Sequence, residues 1–238
     1  MEQKILIVTA FFCLLNINAK TFTSNEHLKN SITSHELKIT QRNEVLQSIK
    51  IGNQVWMKQN LNVSNYNNGD FIREAKNKDE WMQIRKDKIP AYCHYEFNSK
   101  NDLKYGKLYN WYAIHNLRNI APKGWHIPND VEWQTLVNYL GGSEIAGLKL
   151  KTKSGWNNNG NGNDLSGFTA VPAGCIGSSD LFYNIGNNGF WWSSTNKSTD
   201  DRYIWALYVM LGNQDTKVSF NSAEPSQGFS IRCIKNLK

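Results

Sequence analysis

The 238 residues carry 27 Lys and Arg against 20 Asp and Glu, a formal net charge of +7, with a mean hydropathy of −0.55. Beyond the N-terminus no stretch reaches the roughly 18–20 apolar residues of a bilayer span, which argues against a membrane span in the mature chain. The basic residues Lys76, Lys78, Arg85, Lys86 and Lys88 are interleaved with Glu74, Asp79, Glu80 and Asp87; that mixture is a solvated face rather than a phosphate-binding stripe, so no nucleic acid partner is expected.

In chain order, Lys4 precedes the apolar run Ile5 to Leu15, and Ile17-Asn18-Ala19 supplies small residues for cleavage. Residues 1–19 therefore read as a signal peptide that sends the protein to the periplasm, the cell surface or the medium, with Lys20 as the mature start. Residues 20–49 are polar, rich in Thr, Ser, Asn and Lys, and read as a leader or linker. All nine tryptophans lie at or after Trp56, which places one folded domain over residues 50–238.

Within that domain a short helix is predicted over 79–86. A second is predicted after Tyr105-Gly106, where Leu108, Trp111, Tyr112 and His115 keep helical spacing. The clearest helix starts at Asn129: Asn129 as N-cap with Glu132 three residues on is a capping box, and Trp133, Leu136, Val137 and Leu140 form one apolar face before Gly141-Gly142 ends it. The stretch 154–164 has little apolar content beyond Trp156 and reads as a long surface loop. Short β-branched or aromatic runs at 167–171, 190–195, 203–210, 217–220 and 229–234 read as strands, with Gly212-Asn213 as a hairpin turn. The sum is an α+β fold, two main helices packed on small antiparallel sheets with long loops.

Five stretches carry a family resemblance: Gln54-Val55-Trp56-Met57-Lys58-Gln59-Asn60-Leu61, Tyr105-Gly106-Lys107-Leu108-Tyr109-Asn110-Trp111-Tyr112-Ala113, Ala121-Pro122-Lys123-Gly124-Trp125-His126-Ile127-Pro128 with Glu132-Trp133, Phe190-Trp191-Trp192-Ser193-Ser194-Thr195, and Gly228-Phe229-Ser230-Ile231-Arg232-Cys233. In these the chain resembles the Fibrobacter succinogenes major paralogous domain, a family of exported bacterial modules similar to the C-type-lectin-like fold and to the formylglycine-generating group. The resemblance implies a C-type-lectin-like, loop-rich domain whose termini meet in one small sheet. It implies no established activity, and fold by itself does not supply one.

The residues themselves argue for binding rather than catalysis. A formylglycine-generating-type oxidase would need two cysteines near the C-terminal end, where only Cys233 stands. After cleavage three cysteines remain, Cys93, Cys175 and Cys233; Cys233 is expected to pair with Cys93 or Cys175, Cys93 being favoured, unless all stay reduced. Glu224-Pro225-Ser226 only faintly resembles a lectin calcium loop, and the 157–164 loop has a single carboxylate, so no metal and no cofactor are expected. His126, beside Trp125 and Pro128, reads as a packing histidine. Trp156, flanked by amides, reads either as a sugar-stacking residue, with Tyr183 and Trp192 extending its surface, or as a ring that pins the long loop onto the body. The expected protein is thus a non-enzymatic binding module for a glycan or cell-envelope polymer. The rival is a structural or adhesive module that meets a surface protein.

Overall fold

Segments from the two ends of the domain, with one short strand from its middle, make the first sheet. The computed structural model describes residues 46–198 and 204–236; the expected signal peptide lies outside them, as does most of the leader. Strands β1 (Ser48–Ile51) and β2 (Gln54–Met57) form an antiparallel hairpin. Its turn uses Gly52 at φ 59°, where a Cβ would also stand 2.9 Å from the Tyr139 ring, so both backbone and space call for glycine. Strand β3 (Arg73–Ala75), helix α1 (Lys78–Lys86) and strand β4 (Ala91–Cys93) form a crossover whose strands pair in parallel. Asn77 caps α1, its side chain accepting from the Glu80 N–H.

The region after Tyr105 departs from the helical expectation. It holds a one-turn helix α2 (Asp102–Tyr105), strand β5 (Leu108–Asn110) and a second one-turn helix α3 (Trp111–Ile114). Asn110 divides the last two. Its Oδ1 accepts from Ala113 N (3.1 Å) and Ala91 N (3.0 Å), and its Nδ2 donates to Ile89 O (2.7 Å), so one side chain caps α3 and ties it to the β4 segment. The apolar spacing is real as burial, but the backbone reaches it by two elements.

Strand β6 (Trp125–His126) leads into helix α4 (Asp130–Tyr139), where both halves of the Asn129–Glu132 capping box form. Gly141 and Gly142, at φ 105° and 94°, turn the chain into α5 (Ser143–Leu150), an element the apolar pattern does not announce. The run 167–171 is no strand; Ala170 makes only an isolated bridge to Lys151. The remaining strands are β7 (Ala173–Ile176), β8 (Phe182–Ile185), β9 (Asn188–Asn196), β10 (Ala206–Gly212), β11 (Val218–Ala223), β12 (Gly228–Phe229) and β13 (Ile234–Lys235).

A four-stranded sheet runs β1-β2-β13-β6, and a nine-stranded one runs β11-β10-β9-β7-β12-β5-β4-β3 with β8 paired to β7. The second is larger than expected and mixed, since β7–β9 and β3–β4 are parallel. The hairpin β10–β11 pairs Ala206 with Ala223 through Leu211 with Val218, its turn beginning at Gly212-Asn213. The expected single strand over 229–234 is two short pieces, β12 in the large sheet and β13 in the small one.

Arg232 lies in that crossing, fully buried. Its guanidinium donates to Met57 O (3.1 Å), Lys58 O (2.8 Å), Phe168 O and Asn60 Oδ1 (2.8 Å), and rests 4.3 Å from the Phe168 ring centroid. Asn60 Oδ1 also accepts from Trp191 Nε1 (2.8 Å), while its Nδ2 donates to Tyr105 O (2.8 Å) and Ser230 Oγ (3.2 Å). Burial pushes the Arg232 pKa down to about 9, still above neutrality, so the cation persists in the core. Around it Trp56, Trp133, Phe168 and Trp191 pack in tilted and edge-on contacts, Trp56 and Trp133 at 4.8 Å.

Candidate functional site

The expected surface of Trp156, Tyr183 and Trp192 does not form. Trp156 is 3% exposed and belongs to the core beneath α4 and α5. Its Nε1 donates to Thr152 Oγ1 (3.1 Å) and Ala170 O (3.2 Å), and the Lys151 ammonium lies 5.2 Å from its ring centroid. The amides around it hold the loop to itself and to its neighbours: Trp156 N donates to Asn161 Oδ1 (3.0 Å), and Asn157 Nδ2 to Asn187 Oδ1 (3.1 Å). The polar sequence therefore closes the loop over the tryptophan. Trp192 is 0% exposed, its Nε1 donating to Tyr109 O (2.7 Å) and its ring 4.2 Å from Phe229. Tyr183 alone reaches solvent, 40% exposed on β8, with its hydroxyl paired to that of Ser179.

The Cys93–Cys233 bridge is also absent: Cys93, Cys175 and Cys233 are all free and buried. Cys93 packs with Trp81, Tyr95, Leu108 and Ile176, whereas Cys233 packs in a different cluster with Met57, Trp125 and Ile231. Cys175 belongs to the same cluster as Cys233, and Cys93 to another. Burial pushes Cys175 and Cys233 up to about 12, and Cys93 well above its ordinary value, so the thiolate needed for exchange or metal binding is disfavoured at all three. Among the described residues no group of His, Cys, Asp and Glu could hold a metal ion.

Two polar clusters deserve chemical scrutiny. His126 joins Asn236 Oδ1 through Nδ1 (2.7 Å) and Glu132 Oε1 through Nε2 (2.7 Å), which ties β6 and the C-terminal segment to the capping box of α4. His94 meets Asp102 through Nδ1 (2.7 Å) and Glu74 through Nε2 (3.3 Å), and Lys107 reaches Asp102 (3.6 Å) and Ser64 Oγ (3.1 Å). Both nitrogens of His94 are thus occupied by carboxylates, leaving none to deprotonate Ser64. These are satisfied networks of structural type.

A concavity lies elsewhere. A cleft of about 880 Å³ lies between α1 and the Glu224–Ser226 turn, with Tyr112 of α3 and the residues preceding β10 on its walls. Trp205, 47% exposed, is the one tryptophan of the nine that shows a large face to solvent. Its backbone is fixed: Trp205 N donates to Ser198 Oγ (2.7 Å), and Trp205 O accepts from Lys197 N (2.8 Å). Exposed Met82 and partly buried Tyr112 add apolar surface. The turn is held by Pro225 O, which accepts from Trp111 N (2.8 Å), and by Gln227 N donating to Glu224 O (3.1 Å).

The charges of the cleft divide into engaged and open ones. Arg85 is occupied by Asp180 (3.3 Å) and by Ser178 O. Asp79, Lys86, Lys88 and Glu224 line the cleft and form no ion pair among the described residues. Two cations and two carboxylates thus flank an aromatic face, an arrangement suited to binding a polar ligand that presents an apolar side. Sequence reasoning passed over Trp205 because it sits at the start of a strand-like run; its place outside every motif segment is shared by the buried Trp81 and Trp156 and gives no signal by itself. The faint lectin-like Glu224-Pro225-Ser226 lies on the other wall of this cleft.

No curated protein and no solved structure matches this chain. Residues 49–235 match the family described as the Fibrobacter succinogenes major domain, from within β1 to the end of β13, and take in every element that shapes the cleft. The chain belongs to the Fibrobacter succinogenes major domain family.

Proposed function

We propose that this domain is an exported, non-catalytic binding module that takes a carbohydrate chain of the cell envelope or its surroundings into the cleft between α1 and the Glu224–Ser226 turn. The observation that carries the reading is the half-exposed Trp205 indole on a fixed backbone. A sugar ring has an apolar face that stacks on such a surface, and the open carboxylates and ammonium groups beside it hydrogen-bond the hydroxyl edge. The meeting of β1, β2 and β13 in one small sheet supports a C-type-lectin-like arrangement of the domain. Export through residues 1–19 completes the reading and is checked by N-terminal sequencing of the secreted protein, expected to begin at Lys20 within a few residues.

The test is a glycan array probed with the wild type and Trp205→Ala. Binding of a defined set of glycans that weakens at least about tenfold in the variant, with unchanged thermal unfolding, supports the proposal. Full retention of binding by Trp205→Ala removes the cleft from the account. Failure of every glycan, together with a protein partner lost on the same substitution, would establish the adhesive reading instead.

A further inference from the structure

A second concavity, of about 400 Å³, lies where β8, the start of β9 and the β10–β11 turn meet, and its lining is dominated by side-chain amides: Asn158, Asn184, Asn187, Asn188, Asn213 and Gln214. Those of Asn158, Asn184, Asn188 and Gln214 make no hydrogen bond within the protein among the described residues. Asn213 is 8% exposed; its Nδ2 donates to Asn187 Oδ1 and Asn157 O, both at 3.2 Å, while its Oδ1 has no protein partner. A side chain this buried, lining a cavity and with one acceptor unpartnered among the described residues, gains from a ligand that donates to it.

The pocket is held in shape from behind. Buried Lys151 donates to Gly212 O (2.9 Å) and Asp215 O (2.8 Å), fixing the β10–β11 turn. Gly160 lies so close to that turn that a Cβ would stand 2.2 Å from Asn213 O. The same ammonium disfavours a cation at the turn. The two charged residues on the rim are committed, Asp215 Oδ1 accepting from Lys217 N (3.0 Å) and Lys217 Nζ pairing with Glu144 (3.2 Å). Besides the exposed Asp215 carboxylate on the rim, what the lining offers a ligand is uncharged: planar amides, each with two donors and an acceptor, the Ser219 hydroxyl and one apolar contact, Met210.

We infer that this amide-lined pocket is a second binding site, independent of the Trp205 cleft, for an uncharged polyhydroxylated group such as a single hexose at the end or branch point of a polysaccharide. Neighbouring hydroxyls donate and accept in the spacing an amide presents, and a rigid ring fits a pocket whose walls are already fixed.

The test uses the full ¹⁵N-labelled chain, whose asparagine side-chain NH₂ signals report the site directly. Methyl glycosides of glucose, galactose, mannose and N-acetylglucosamine are titrated in turn, with glucuronate and calcium chloride as charged counterparts. The expected result is saturable movement of the Asn184, Asn188 and Asn213 side-chain signals with at least one neutral sugar. Its affinity should fall about tenfold in Asn188→Ala and in Gln214→Ala while the other signals keep their positions. If either variant is misfolded, the other decides. The inference is overturned if no neutral sugar moves these signals, if both folded variants bind as well as the wild type, or if only glucuronate or calcium acts. Movement confined to the Trp205 indole N–H overturns it too, while supporting the cleft.

Discussion

The surroundings of Arg232 and the surroundings of Trp205 are both rich in aromatic and polar groups, yet they have opposite hydrogen-bond states. Around Arg232 the guanidinium, the Asn60 amide and the Trp191 N–H are matched partner for partner. Around Trp205 the indole is half exposed, and Asp79, Lys86, Lys88 and Glu224 form no ion pair among the described residues. Unsatisfied polar capacity beside an aromatic surface is what the proposed ligand would use. Aromatic content alone does not offer it, as Trp156 and Trp192 demonstrate.

Several substitutions put that contrast at risk. The largest effect belongs to Arg232→Leu, which leaves the carbonyls of Met57, Lys58 and Phe168 and the Asn60 Oδ1 short of a donor; urea unfolding should show a loss of about 3–5 kcal/mol. Arg232→Lys, keeping the charge with fewer donors, should recover only part of it. Wild-type stability in the leucine variant would mean the matched network is incidental. Trp156→Ala should also cost about 3–5 kcal/mol, as removal of a core indole does; a loss under about 1 kcal/mol would return Trp156 to the surface. Asn129→Ala, which removes one half of the α4 capping box, should cost about 1 kcal/mol.

A pH titration sharpens the buried side further. The Cys175 thiol is raised by burial from its ordinary 9.0 to about 12, so the unfolded chain releases that proton first. Its contribution is intact below pH 9 and is lost as pH rises from 9 toward 12. Wild type should therefore lose stability over that window relative to Cys175→Ala, whereas a pH-independent difference between the two would show that the thiol is not buried as described. The smallest effect is expected for Trp205→Ala, under about 0.5 kcal/mol in unfolding despite its consequence for binding.

Local chemistry was the legible part of the fold. The capping box at Asn129 and the hairpin beyond Gly212 depend on neighbours in sequence, and both appear where the residues put them. The helix expected from Leu108 failed because Asn110 is committed to Ile89 and Ala91 across the sheet, a contact no local pattern carries. Helix α5 was invisible because its apolar residues do not form a clean stripe. The two readings of Trp156 stayed open for a related reason. Trp156 looks exposed among amides, but those amides bond to partners such as Asn161 and Asn187, which draws the ring inward. Trp205 looks like the start of a strand, and only the contact of its backbone with Lys197 and Ser198 leaves the ring outside.

The pairing of β2 with β13 bears on how the molecule comes into being. Trp56 faces Ile234 across that pair, and Arg232 reaches back to Met57 and Lys58. The central sheet contact and the central polar hub thus join opposite ends of the domain, giving a topology of high contact order that closes slowly. A ribosome must release the last strand before either can form. Until then the growing chain lacks its keystone, and a truncation of a few residues ahead of Ile234 would strand the hairpin β1–β2 without its partner.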